Sequence, residues 1–107
     1  NDPVALKVAR ANVRVNDVER KIRPARTKLD DLDERFGLVA ANLTAETILE
    51  LSGALAERVA PGGYLVLSGV LDCQASAVVR RFAAARFTLL RQSRDKEWVT
   101  LLLQSKS

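Results

Sequence analysis

The chain has 107 residues, enough for one small domain and too few for two. At 48% apolar and 28% charged it is composed like a globular protein, and a net charge of +4 permits an acidic partner without arguing for one. No apolar run reaches a membrane span and no signal-peptide pattern opens the chain, so a cytoplasmic protein without membrane contact is expected.

Asn1-Asp2-Pro3 reads as a helix start, with Asp2 as cap and Pro3 at the first helical position. Val4, Val8, Ala11 and Val15 then recur at helical spacing, and Asn16-Asp17 closes the helix. Ile22 to Arg26 is a short strand whose Pro24 favours an edge. Thr27 to Arg35 is a polar loop. Phe36 to Ala41 is a strand apolar on both faces apart from Gly37, the pattern of a parallel sheet covered on both sides. Thr44 can cap the next helix, whose buried stripe is Ile48, Leu51, Leu55 and Val59. Pro61-Gly62-Gly63 stops it. Tyr64 to Leu67 is the next strand, with Ser68-Gly69 at its carboxyl end. A helix follows from about Asp72 to Ala85, turning Val78, Phe82 and Ala85 inward. Phe87 to Arg91 and Trp98 to Leu103 are strands joined by the polar loop Gln92 to Lys96, a connection short enough to force an antiparallel pair. The alternation implies a doubly wound α/β sheet ending in an antiparallel pair.

Candidate chemistry gathers at one place. The first apolar strand ends on a lone Asn42, and ligands of open α/β sheets bind outside such strand ends. An amide there can donate and accept hydrogen bonds without carrying charge, although it can equally satisfy the local backbone. Ser68-Gly69 is either the rim of the same site or a plain turn. Asp30, Asp31 and Asp33 lack the glycine and distal glutamate of a calcium loop and read as a solvated acidic loop, so no metal is expected. The single cysteine, Cys73, excludes an internal disulfide and reads as structural. The absence of histidine excludes histidine triads and His-ligated zinc within the chain. Trp98 alternates with apolar neighbours and reads as core. The five aromatics form no stacking stripe, and the arginines are dispersed, so no direct nucleic-acid site is inferred.

An ordered set of short matches resembles a known family. It comprises Asp2-Pro3 with Ala5, Leu6, Ala9, Asn12, Asn16 and Val18, then Val39-Ala40-Ala41-Asn42-Leu43. Pro61 to Leu71 with Gln74 follows, and then Phe87 and Glu97-Trp98-Val99. Together these resemble class I S-adenosylmethionine-dependent methyltransferases, more narrowly the bacterial methyltransferases of ribosomal protein L11 (PrmA type), over the C-terminal part of the catalytic domain. The resemblance implies a Rossmann-like fold, S-adenosylmethionine as cofactor and a large-subunit ribosomal protein as substrate, methylated on lysine or amino-terminal nitrogen. It implies that Asn42 contacts the methionine end of the cofactor and accepts a hydrogen bond from the acceptor amine. Asn1 and Asp2 would lie near the adenosine, and Thr27, Lys28 and Leu29 on the adenine. Without the resemblance, Asp2 is a helix cap and residues 27–29 are an ordinary loop.

The chain departs from the pattern in three places. Gly37 stands where the family usually has Asp, and Arg86 where it usually has Gly, so the turn at Arg86 is expected to differ. No Gly-x-Gly occurs anywhere. Residues 1–107 are therefore expected to form a partial methyltransferase domain without its first two strands and glycine-rich loop. The strands at Phe36, Tyr64, Trp98 and Phe87 should then lie side by side in that order, with a gap between Phe36 and the Ile22 strand. Two alternatives stand beside this reading. One is a methyltransferase acting on another nitrogen, disfavoured because Leu43-Thr44 rather than Pro-Pro follows Asn42. The other is a non-enzymatic interaction half-domain that has lost its cofactor loop.

Overall fold

A computed structural model describes residues 4–8, 11–16 and 35–106. The Ile22 strand, the acidic loop and the expected cofactor residues Asn1, Asp2, Thr27, Lys28 and Leu29 lie outside the described residues. The described chain runs β1 (Val4–Val8), β2 (Ala11–Asn16), β3 (Phe36–Asn42), α1 (Ala45–Glu50), α2 (Ser52–Arg58) and β4 (Val59–Leu71). A 3-10 turn (Asp72–Gln74), α3 (Ala75–Ala84), β5 (Phe87–Asp95) and β6 (Trp98–Ser105) complete it.

The six strands form one sheet in the order β1-β2-β3-β4-β6-β5. β3 and β4 are parallel, joined by α1 and α2, whereas every other neighbouring pair is antiparallel. The expected order of the Phe36, Tyr64, Trp98 and Phe87 strands is therefore observed, with the last at the edge. The result is an α/β fold in which the parallel pair β3–β4 is flanked by antiparallel strands on both sides.

The helix expected from Pro3 to Asn16 is not formed at residues 4–8 and 11–16. These residues are the antiparallel strands β1 and β2, and β2 pairs antiparallel with β3, from Val13 opposite Ala41 to Asn16 opposite Leu38. The apolar residues at 4, 8, 11 and 15 satisfy a helical period, but Val4-Leu6-Val8 and Ala11-Val13-Val15 satisfy a strand period equally well. Valine favours the strand, and an apolar β3 with an open edge offers a ladder of unpaired backbone groups to complete. The gap expected beside β3 is accordingly filled, among the described residues, by β2.

The core lies between the sheet and the helices. Val39, Ala41, Leu65, Leu67, Val99, Leu101 and Leu103 are buried at alternate strand positions and join Ile48, Leu55, Val78 and Phe82 from the helices in one cluster. The residues between them, Leu38, Ala40, Val66 and Leu102, are only half-buried, and Tyr64 and Trp98 are exposed. Phe82 of α3 meets Phe87 of β5 edge to face, with ring centroids 5.6 Å apart at 81°.

The helix between β3 and β4 is broken in two. Thr44 caps α1 by accepting a hydrogen bond from the Thr47 N–H at 3.2 Å. Leu51 leaves helical geometry at φ −96°, ψ 7°, and Ser52-Gly53 follows, a pair that commonly bends helices. The buried Ser52 hydroxyl donates to the Leu49 carbonyl at 3.0 Å and accepts from Arg81 Nε at 2.9 Å, tying the bend to α3. α2 stops at Arg58, short of Pro61, as the disfavour of helical geometry before proline requires. The chain then passes through Gly63, where a Cβ would stand 2.9 Å from the Ala60 carbonyl oxygen and 3.1 Å from that of Gly37. Only glycine lets β4 close on β3 there.

Candidate functional site

The parallel pair β3–β4 and the antiparallel pair β6–β5 bring four chain segments to one end of the sheet. These are the end of β3 at Asn42, the Ser68-Gly69 stretch of β4, the start of β6 at Trp98 and the end of β5 at Asp95. Between them opens a cleft of about 520 Å³, lined by Asn42, Ser68, Gly69, Arg94, Asp95, Trp98 and Thr100 among others. Its size suits a small organic ligand or an amino-acid side chain. Smaller clefts of about 350 Å³ near Gln104 and about 210 Å³ between Ser52 and Arg81 lie away from these strand ends.

Asn42 stands opposite Ser68 in the β3–β4 register. It is exposed, whereas Ala41 and Leu43 on either side are buried and hold the strand end in place. The Leu43 N–H extends the ladder by donating to the Ser68 carbonyl at 3.0 Å, and Thr44 begins α1 immediately afterwards. A neutral amide thus stands at a rigid strand terminus facing open space. Gly69, next to Ser68, has φ 89°, and β4 shifts register against β6 between Leu67 and Val70. The strand-end reading of Asn42 and the rim reading of Ser68-Gly69 are joined in one cleft.

The far wall differs from expectation in two respects. Trp98, expected in the core, is 49% exposed and lines the cleft. Its neighbours explain this: Val99, Leu101 and Leu103 take the buried positions of β6, and period-2 alternation turns Trp98 and Thr100 to the other face. The segment Gln92 to Lys96, expected as a loop, is mostly strand. β5 runs to Asp95, and Asp95 pairs with Trp98 across a tight turn at Lys96 (φ 58°). Arg94 and Asp95 reach the cleft for this reason, and no motif in their sequence signals it. The turn is pinned to the 3-10 turn that precedes α3. Arg94 Nε donates to the Lys96 carbonyl at 2.8 Å, Arg94 Nη1 lies 3.5 Å from Asp72 Oδ2, and the Asp72 N–H donates to the Glu97 carbonyl at 2.8 Å. The ion pair is well exposed and contributes at most about 1 kcal/mol, so the backbone bonds carry the anchoring. Among the described residues no group of acidic or cysteine side chains could hold a metal ion, and Cys73 is exposed and away from the cleft lining.

Comparison with known proteins places this arrangement. The family described as ribosomal protein L11 methyltransferase (PrmA) matches residues 1–106. The chain belongs to the PrmA family. A ribosomal protein L11 methyltransferase of Geobacter metallireducens is 38% identical over 104 residues, which cover 97% of this chain and 34% of the relative. One from Mesorhizobium japonicum is 34% identical over 108 residues, covering 96% of this chain and 37% of the relative. The chain therefore spans about a third of the length of the curated PrmA relatives it matches. A crystal structure of ribosomal protein L11 methylase from Lactobacillus delbrueckii subsp. bulgaricus superposes with a TM-score of 0.71 at 25% identity, over 83% of this chain and 48% of that one. Asn42, Ser68 and Gly69 lie within the segment by which the PrmA family is matched. No described helix is long and apolar enough to cross a membrane.

Proposed function

We propose that residues 1–107 are the C-terminal part of the catalytic domain of a protein N-methyltransferase, with a large-subunit ribosomal protein as substrate and lysine or amino-terminal nitrogen as acceptor. The observation that carries the reading is Asn42, a neutral amide on a buried strand end, facing an open cleft in a chain of the PrmA family. S-adenosylmethionine is the methyl donor in this reading, and its sulfonium makes the methyl group electrophilic. The lining fits such a donor. Asn42 and Ser68 offer uncharged hydrogen-bonding groups, and Gly69 adds no side chain between them. Asn42 would hold the methionine end, with Asn1, Asp2, Thr27, Lys28 and Leu29 contributing the adenosine contacts.

In this mechanism Asn42 Oδ1 accepts a hydrogen bond from the acceptor amine and turns its lone pair toward the reacting centre. The amine must arrive neutral, and an amide avoids the charge that would hold it as an ammonium ion. Alignment of the two reactants and exclusion of water supply most of the acceleration, worth several kcal/mol. Trp98 and Thr100 line the same cleft as Asn42 and are exposed to it.

The test is Asn42→Ala in the full-length protein containing this sequence, with labelled methyl transfer to ribosomal protein L11 as the readout. Turnover should fall by about 10²-fold, the cost of losing one preorganised polar contact. Affinity for S-adenosylmethionine should change much less, because in this reading the adenosine contacts are made by other residues. Turnover equal to the parent's would make Asn42 a structural strand-end residue.

A further inference from the structure

We infer that Gly69 is a positioning residue for the Asn42 amide, an inference that rests on the catalytic reading of Asn42. Gly69 lies where β4 leaves register with β6, at φ 89°. A Cβ at this position would stand 2.5 Å from the Leu43 carbonyl oxygen and 3.0 Å from Asn42 Oδ1. Neither is an ordinary contact, and the two groups would respond differently. The Leu43 carbonyl has little freedom. Its residue is buried, its N–H is bonded to the Ser68 carbonyl, and the next residue caps α1. Asn42 is exposed and can rotate its amide away. The glycine therefore defines the wall against which Oδ1 rests, and the bulge presses the strand end and the amide into one arrangement. Any side chain at position 69 would swing the amide off the line on which it meets the acceptor amine.

The decisive experiment is a double-mutant cycle in the full-length protein, measuring kcat for methylation of ribosomal protein L11 and KM for S-adenosylmethionine. Gly69→Ala should lower kcat by about 10²-fold, as Asn42→Ala does, with KM for the cofactor changed by less than about threefold. Adding Gly69→Ala to Asn42→Ala should cost at most about twofold more, since the group it acts through is already gone. If Gly69→Ala costs as much in the Asn42→Ala background as in the parent, it acts on the fold at large and the inference is overturned. If it leaves kcat intact while Asn42→Ala does not, the inference fails and the Asn42 reading stands. If Asn42→Ala is itself silent, the catalytic reading fails and the inference with it. Gly69→Asn carries the same Cβ while tolerating the left-handed backbone, so comparing it with Gly69→Ala separates the cost of the positive φ from that of the Cβ. Relaxation of the Asn42 side-chain amide in the parent protein gives a readout without any substitution at Gly69. A rigid amide is expected, and an order parameter below about 0.6 would overturn the positioning role.

Discussion

Asn42 is exposed between Ala41 and Leu43, which are 1% and 6% exposed, so its backbone is fixed while its amide is accessible. Replacing it by aspartate keeps an oxygen in place and adds a charge. Asn42→Asp should be slow at neutral pH, because the carboxylate stabilises the acceptor as an ammonium with no lone pair to donate. The carboxylate raises the amine pKa, so the neutral form is recovered only on going alkaline, and the rise of activity with pH should be displaced to higher pH than in the parent. A rise centred at the parent's pH would show that Asn42 does not face the amine. Asn42 was legible from sequence because a lone polar residue ended an apolar strand. Trp98 was not: its alternation with Val99, Leu101 and Leu103 says only that one set is inside, and burial of the aliphatic set decided which.

At the scale of elements, the end of α3 is the most instructive. Arg86 occupies a position with φ 71°, and its N–H donates to the Ala83 carbonyl at 3.0 Å. The left-handed turn is thus kept although the residue is arginine rather than glycine. Left-handed geometry costs a non-glycine residue roughly 1–2 kcal/mol, and the greater freedom of glycine in the unfolded chain returns part of that. Arg86→Gly should therefore stabilise the fold by up to about 1 kcal/mol, seen as a raised thermal midpoint. A lowered midpoint would mean that the arginine side chain makes a compensating contact. Phe82, fully buried and edge to face with Phe87, joins α3 to the edge strand. Phe82→Ala should cost about 3–5 kcal/mol in chemical denaturation, and a loss under 1 kcal/mol would mean that β5 holds its place without α3. The break at Leu51 was hidden from the sequence because the apolar stripe Ile48, Leu51, Leu55 continues across it. What bends the helix is the Ser52 hydroxyl, and its partner Arg81 is remote in the chain.

At the scale of the whole molecule, the neighbour of β3 bears on cofactor binding. The 107 residues contain no Gly-x-Gly, and β2 lies beside β3. A glycine-rich loop at a helix start supplies the close backbone approach that dinucleotide-like ligands need, and a strand-end acid supplies the ribose contact. The isolated 107-residue chain should accordingly bind S-adenosylmethionine poorly. Titration calorimetry on material of verified mass checks this, and micromolar binding would overturn the partial-domain reading.

Periodicity and punctuation alone determined that β3, a helical segment, β4, α3 and a final antiparallel pair follow one another, because each has one strong pattern; their bounds were not fixed, since β5 runs through the polar stretch at Gln92 and β4 takes in Pro61-Gly62-Gly63. They also determined that Asn42 ends a strand. The fate of residues 4–16 was not determined in this way, because their valines fit both a helix and a strand. Tertiary structure chose the strand, since an apolar β3 with an unpaired edge gains backbone hydrogen bonds from a β-branched partner that an isolated helix cannot supply. Tertiary structure likewise decided that Asn42, Gly69, Asp95 and Trp98 share one cleft. They are distant in sequence and meet only because β3 and β4 run parallel while β6 and β5 run back against them, and that register belongs to the sheet as a whole.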